Sequence, residues 1–169
     1  MLYGMSHDLY CTRHFTPVIL PQSFPLRSVF IAGGISNCPD WQSEICSMIR
    51  TDKFDVANPR RETGFDRTGA TAEQQITWEH NALLLVDDYI FWFPQETLCP
   101  ITLFELGTVL ERLRHETGKF ILVGWHPGYQ RGFDLQVQIE LALGTSYNLL
   151  HAGPGWDDFA GAIKRYYGI

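Results

Sequence analysis

Residues 28–34 read SVFIAGG, a run of β-branched and aromatic residues that ends in two glycines. Such a run is typical of a buried strand followed by a tight turn. The next segment, residues 39–50 (PDWQSEICSMIR), has a proline suited to a first helical turn and apolar side chains at spacings of four, seven and eight. The proline is Pro39, and the apolar residues are Trp41, Ile45, Met48 and Ile49. Together the two segments predict one strand–helix unit.

The same alternation of strand and helix continues along the chain. Short apolar or aromatic runs predict further strands at residues 54–57, 89–93, 119–124 and 147–150. Amphipathic segments predict helices at residues 71–86, 102–116, 133–143 and 156–167, and the polar residues 62–70 predict a long loop. The apolar positions of 133–143 alternate as in a strand, but the following Gly144 and the need for a crossover favour a helix. The pattern predicts a doubly wound parallel sheet with helices on both faces, a fold that binds ligands at the carboxyl ends of its strands.

The composition narrows the possible partners. The 169 residues carry a formal net charge of -6, and no run of lysine or arginine is present, which argues against binding to a nucleic-acid backbone. Four scattered cysteines lack any metal-ligand spacing, and we expect reduced thiols in a cytoplasmic protein. We expect neither a signal peptide nor a membrane span. We expect residues 1–27 to form an N-terminal arm over the surface or against a neighbouring subunit. Residues 28–169 are expected to form one domain.

Three loops that follow predicted strands carry the polar groups from which a site could be built. They are residues 33–37 (GGISN), residues 58–61 (NPRR) and residues 96–105. The glycine pair Gly33-Gly34 lets a ligand approach the backbone closely, or simply allows a tight turn. The loop matches neither a dinucleotide-binding GxGxxG nor a P-loop.

Glu79 is placed unusually for a carboxylate. The helix of residues 71–86 opens with a capping box, Thr71 to Gln74, and its apolar stripe contains Ile76, Leu83 and Val86. Glu79 lies three residues after Ile76 and four before Leu83, so the spacing predicts that it faces inward. A carboxylate there is functional, is part of a buried ion pair, or reaches the rim because the helix is rotated.

Glu105 has two interpretations. The sequence Thr102-Leu103-Phe104-Glu105 matches a second capping box, which makes Glu105 a structural cap. The same position puts a carboxylate in a first helical turn beyond a strand end, where the helix dipole favours the ionised form that a nucleophile needs. Spacing alone favours the cap.

Other polar and aromatic residues are more ambiguous. Trp92 and Phe93 belong to the core or form a pocket wall on which a nucleobase could stack. His126 and Arg131 lie in the loop after the fourth strand, where they contact a ligand, a neighbouring subunit or only solvent.

The order of motifs resembles that of the nucleoside 2-deoxyribosyltransferase-like proteins. The stretches VFIAGGIS, NPRR, QITWEHNALLLVDDYIFWFP and ITLFELG carry the resemblance, over about residues 26–145. It implies a flavodoxin-like five-stranded sheet and a homo-oligomer whose sites lie near subunit contacts. It also implies that Glu105 is the nucleophile and that Glu79, eight residues before Asp87, assists the leaving base. The family's aspartate for the sugar 5'-hydroxyl is missing from residues 94–100, where Glu96 is the nearest substitute.

These observations give one leading hypothesis and two alternatives. The leading hypothesis is an enzyme that cleaves or exchanges the N-glycosidic bond of a nucleoside through a glycosyl-glutamate intermediate, without metal or cofactor. The residues expected to bind the substrate are Gly33, Gly34, Ser36, Asn58, Arg60, Asp87, Trp92 and Glu96. One alternative is a hydrolase of nucleoside 5'-monophosphates or NAD, with the phosphate held by Arg60 or Arg61. The other is a non-catalytic nucleotide sensor.

Overall fold

The structure is a computed structural model that describes residues 24–60 and 71–168. Five strands alternate with five helices in this part of the chain. The strands are β1 (Arg27–Gly33), β2 (Phe54–Ala57), β3 (Asp88–Phe93), β4 (Phe120–Trp125) and β5 (Leu149–Pro154). The helices are α1 (Trp41–Met48), α2 (Ala72–Leu85), α3 (Pro100–Leu113), α4 (Gly132–Leu143) and α5 (Trp156–Tyr167).

The strands form one parallel sheet in the order β2-β1-β3-β4-β5. This order is that of a flavodoxin-like fold and confirms the predicted class. After β1 the chain forms the edge strand β2. It then crosses through α2 to β3, which pairs with the other side of β1. The topological switch point therefore lies between β1 and β3, and a crevice opens there at the carboxyl ends of these strands.

The helices cover both faces of the sheet. On one face α2, α3 and α4 pack against the sheet, and on the other α1 and α5 do so. Side chains of the central strand β3 alternate between these layers: Phe91 and Phe93 enter the first, whereas Ile90 and Trp92 enter the second. Every residue of β3 is buried, as expected of a central strand in a parallel sheet.

Ionic and polar contacts hold the amino ends of β1 and β3 together. The Arg27 guanidinium donates to both carboxylate oxygens of the buried Asp88, at 2.6 and 2.7 Å. The neighbouring Asp87 accepts from the backbone N–H and the hydroxyl of Ser28, both at 2.8 Å. Asp87 therefore lies at the amino-terminal ends of the strands, and the crevice lies at their carboxyl ends.

The predicted boundaries of several elements are wrong, among them those of α3, which runs over Pro100–Leu113 and not over residues 102–116. Helix α1 begins at Trp41, and Asp40 caps it by accepting from the Ser43 N–H, so Pro39 precedes the helix instead of lying in its first turn. Another error is the fifth strand, which runs from Leu149 to Pro154 and not over residues 147–150.

The later start of β5 has a local cause. The Asn148 side-chain amide donates to the carbonyls of Glu116 and Lys119, at 3.1 and 2.9 Å, and this ties down a turn where the strand was expected. Tyr147 is 63% exposed. Pairing with β4 instead continues to Pro154, which lies opposite Trp125.

Some expectations fall outside the described residues. Residues 1–23 of the predicted arm and the predicted loop at 62–70 belong to this group, and Arg27 at the end of that arm is the first residue of β1. The cysteines of the described ranges, Cys38, Cys46 and Cys99, are free thiols. In the described ranges no helix is long and apolar enough to cross a membrane.

Candidate active site

A cavity of about 640 Å³ opens at the carboxyl end of β1. Its described walls come from β1 and the loop after it, from α2, and from α3 with the preceding loop. The lining is mainly apolar, and the carboxyl groups that it contains are those of Glu79 and Glu105. An apolar cavity with a few polar groups at a switch point is the usual form of a small-molecule site in this class of fold.

Helix α3 carries Glu105 into the cavity. The helix begins at Pro100, a residue whose fixed φ suits a first helical turn, and it follows Cys99 in the left-handed conformation (φ 48°). Thr102 is therefore a buried residue of the first turn and not a cap, so the capping box predicted for Thr102 and Glu105 is wrong. Glu105 lies in the second turn, beyond the reach of the dipole effect expected for it.

The surroundings of Glu105 favour its protonated form. The side chain is half-buried, and burial raises the pKa of Glu105 to about 7, with a further contribution from the charge of Glu79. A carboxyl group in an apolar cavity loses hydration when it ionises, and a second carboxylate nearby adds repulsion. Carboxyl groups perturbed in this way are frequent at functional sites.

Glu79 reaches the cavity because α2 is rotated relative to the predicted stripe. The capping box of Thr71 and Gln74 is confirmed. The face that packs on the sheet contains Gln75, Trp78, Ala82 and Leu83, whereas Ile76 is 65% exposed, so its assignment to the inward stripe is wrong. Trp78 and Ala82 belong to the core between α2 and the sheet, and with this face inward Glu79 is half-buried at the cavity wall.

Gln75 connects Glu79 to the loop after β2. Its side-chain amide donates to a carboxylate oxygen of Glu79, four residues later on the same helix, and to the carbonyl of Pro59 at 3.3 Å. Gln75 is only 7% exposed and also lines the cavity. Sequence reasoning missed this residue, although a Gln at four residues before a Glu is a known helical pairing.

The glycine loop forms another wall of the cavity. Gly33, Gly34 and Ser36 line it as expected. A Cβ at Gly34 would lie 2.7 Å from the Pro94 ring and 2.8 Å from the Thr97 methyl, so only glycine fits this close approach of two loops. The Gly34 carbonyl is held by the Trp41 indole N–H at 2.8 Å.

The loop before α3 supplies two lining residues that sequence reasoning missed, Thr97 and Cys99. The Cys99 thiol donates to the carbonyl of Thr97. Burial raises the pKa of Cys99 to about 11, which keeps it a neutral thiol and argues against a cysteine nucleophile here. The exposed Glu96 of the same loop is not part of the wall.

Arg60 and Asn58 lie behind the cavity and organise its loops. The Arg60 guanidinium donates to four oxygens at 2.8–3.3 Å, and Asn58 accepts from the Arg60 N–H at 2.9 Å. The four acceptors belong to Ile35, Cys38, Pro39 and Gln42. The side chain thus ties the glycine loop to α1, and it does not line the cavity. Arg61 lies outside the described residues.

The other predicted site residues are elsewhere. Asp87 lies at the amino-terminal ends of the strands, away from the cavity. Trp92 packs in the layer of α1 and α5, where its ring stacks on Phe159 at 5.1 Å between centroids. His126 and Arg131 follow β4 and do not line the cavity. Among the described residues, no three metal-ligating side chains converge.

Exposed apolar side chains surround the mouth of the cavity. Phe104 is 77% exposed, Ile101 is 68% exposed, and both lie on the outer side of α3 next to Glu105. Ile76 of α2 and Leu84 complete this group. We call these four side chains the apolar rim.

Sequence comparison identifies the family. A family model described as nucleoside 2-deoxyribosyltransferase like matches residues 26–121, more than half of the chain, and this range contains all the described residues that line the cavity. Among curated proteins, none matches this sequence. The chain therefore belongs to the nucleoside 2-deoxyribosyltransferase-like family.

Proposed function

We propose that the protein cleaves or exchanges the N-glycosidic bond of a nucleoside, with Glu105 as the nucleophile and Glu79 as the group that serves the leaving base. The observation that carries the proposal is the pair of carboxyl groups in one apolar cavity, where the pKa of Glu105 is raised to about 7. Membership of a family of nucleoside-modifying enzymes supports the same substrate class.

The chemistry uses one proton shared by two carboxyl groups. When the substrate binds, the ionised Glu105 attacks the anomeric carbon; a C–O bond forms while the C–N bond to the base breaks. The departing base takes the bonding electron pair and accepts a proton or a hydrogen bond through Glu79. A second base or a water molecule then attacks the anomeric carbon and gives its proton to Glu79 while the C–O bond to Glu105 breaks, which completes a transfer or a hydrolysis. Either acceptor releases Glu105 as a carboxylate.

The contacts of Arg60 argue against Arg60 as the ligand of a 5'-phosphate. Its guanidinium is occupied by four oxygens of the protein and lies 3.4 Å from the Asp40 carboxylate. A phosphate would have to displace these contacts before Arg60 could bind it. The cavity of about 640 Å³ is within the range of small-molecule sites.

The test follows base release by chromatography. Purified protein is mixed with deoxynucleosides, ribonucleosides and their monophosphates, with and without a second free base. We expect release or exchange from nucleosides, and mass spectrometry of the quenched enzyme should show the mass of one sugar added at Glu105. Glu105→Ala should abolish both signals.

Glu111→Ala is the matched control, since Glu111 is an exposed glutamate of the same helix. It should retain full activity. If folded wild-type protein binds nucleosides but releases no base from any of them, the proposal is wrong and the protein is a nucleoside-binding sensor.

The apolar rim supports the predicted homo-oligomer. Large exposed apolar patches are rare on monomers, and this one borders the proposed site on α2 and α3. We propose that a second copy of the chain covers it. Burial of Phe104 and Ile101 in that contact would also help to exclude water from Glu105.

A further inference from the structure

Among the described contacts, the Gln75 side chain links Glu79 to the loop after β2. Its amide donates to Glu79 on one side and to the Pro59 carbonyl on the other. Because Gln75 is buried on the face of α2 that packs on the sheet, packing restricts the position of its side-chain amide. The pairing therefore holds the Glu79 carboxylate in one place on the cavity wall.

The direction of this hydrogen bond matters for charge. An amide N–H can only donate, and an ionised carboxylate can only accept, so the contact favours the ionised form of Glu79. A charged Glu79 in turn disfavours ionisation of Glu105. The charge of Glu79 accordingly contributes to raising the pKa of Glu105.

We propose that Gln75 is a positioning residue that decides which of the two carboxyl groups carries the shared proton in the resting site. With Gln75 in place, Glu79 is the acceptor and the proton rests on Glu105. When a nucleoside enters, the proton can pass to Glu79 and from there to the base, and this leaves Glu105 ionised. The proposal rests on the roles given above to Glu105 and Glu79.

Two other ionisable side chains of the described wall, His80 and Arg112, lie near the same pair. His80 lies next to Glu79 on α2, on the exposed side of the helix. Arg112 of α3 donates to the carbonyl of Leu83 at 2.8 Å and pairs with Glu116 at 3.1 Å. Burial is the main cause that raises the pKa of Glu105, and the charge of Glu79 is the second. Neither His80 nor Arg112 contributes to this shift.

The test measures the charge of Glu105 without using activity. Carboxyl carbon NMR, with the Glu105 signal assigned by Glu105→Gln, gives its titration midpoint in wild type and in Gln75→Met. Methionine has a similar size but no donor. We expect the proton to move to Glu79 and the Glu105 midpoint to fall by about one pH unit. The acid limb of the kcat/KM profile should move down by the same amount.

Gln136→Met is the matched control. Gln136 also donates to a glutamate four residues later, Glu140, at 3.0 Å, but on the exposed side of α4. Gln136→Met should leave the titration midpoint of Glu105 and the kcat/KM profile unchanged. Gln75→Asn is a second variant, which keeps the amide but is too short to span both partners, and it should act like Gln75→Met.

The outcomes separate this proposal from the proposed function. An unchanged Glu105 midpoint in both folded Gln75 variants overturns the role of Gln75, even if the enzyme is active. A shifted midpoint in a protein that releases no base supports Gln75 as the positioning group while the proposed catalysis fails.

Discussion

Replacing Glu105 with glutamine should stabilise the fold above pH 7 and leave its stability unchanged near pH 4. The folded protein holds the pKa of Glu105 at about 7, against an ordinary value of 4.5. The folded state therefore binds this proton more tightly than the unfolded chain, and wild type loses stability as the pH rises from 4.5 to about 7. At about 1.36 kcal/mol per pKa unit this loss is about 3 kcal/mol, and solvent screening of a half-buried group reduces it to about 2 kcal/mol.

Urea unfolding followed by tryptophan fluorescence measures this effect. The free energy of unfolding of Glu105→Gln should exceed that of wild type by an amount that grows to about 2 kcal/mol between about pH 5 and 8. Glu111→Gln is the control, because His115 and Arg114 lower the pKa of the exposed Glu111 and its replacement should give no such gain. A difference between Glu105→Gln and wild type that stays constant over this pH range would refute the reasoning.

Two further predictions concern packing and assembly. Gly33→Ala should lower the free energy of unfolding by about 1–3 kcal/mol in the same urea assay, because its Cβ would lie 2.2 Å from the Trp92 carbonyl and 2.4 Å from the Trp41 ring; an unchanged midpoint would show that β1 can shift. Phe104→Asp should convert a wild-type oligomer to monomers in light scattering after size exclusion, whereas Phe133→Asp, equally exposed on α4, should not. A monomeric wild type would contradict the assembly.

The order of strands and helices could be predicted because each element carries its own local signal. Residues 28–33 of the opening run lie in β1, and residues 54–57 form β2 as predicted. Boundaries were less predictable where a distant contact sets them. The start of β5 depends on carbonyls of Glu116 and Lys119, more than twenty residues away, which local periodicity cannot register.

The two carboxyl groups of the cavity could be picked out from the sequence, whereas much of its wall could not. Glu79 and Glu105 were singled out and both line the cavity. Of the predicted inward stripe, Leu83 and Val86 are buried, but Ile76 is exposed because α2 buries the larger Trp78 side chain instead. The role of Arg60 depends on backbone carbonyls of a loop, and a sequence does not show where carbonyl groups point.

All the described residues that line the cavity lie between Phe30 and Arg112, and thus precede β4. The last third of the chain supports the sheet but contributes no described side chain to the wall. That division is useful for protein engineering. A fluorescent label or affinity tag on the outer surface of α4 or α5 can report on binding without touching the pocket, and a library aimed at new substrates can be confined to the first two thirds of the gene.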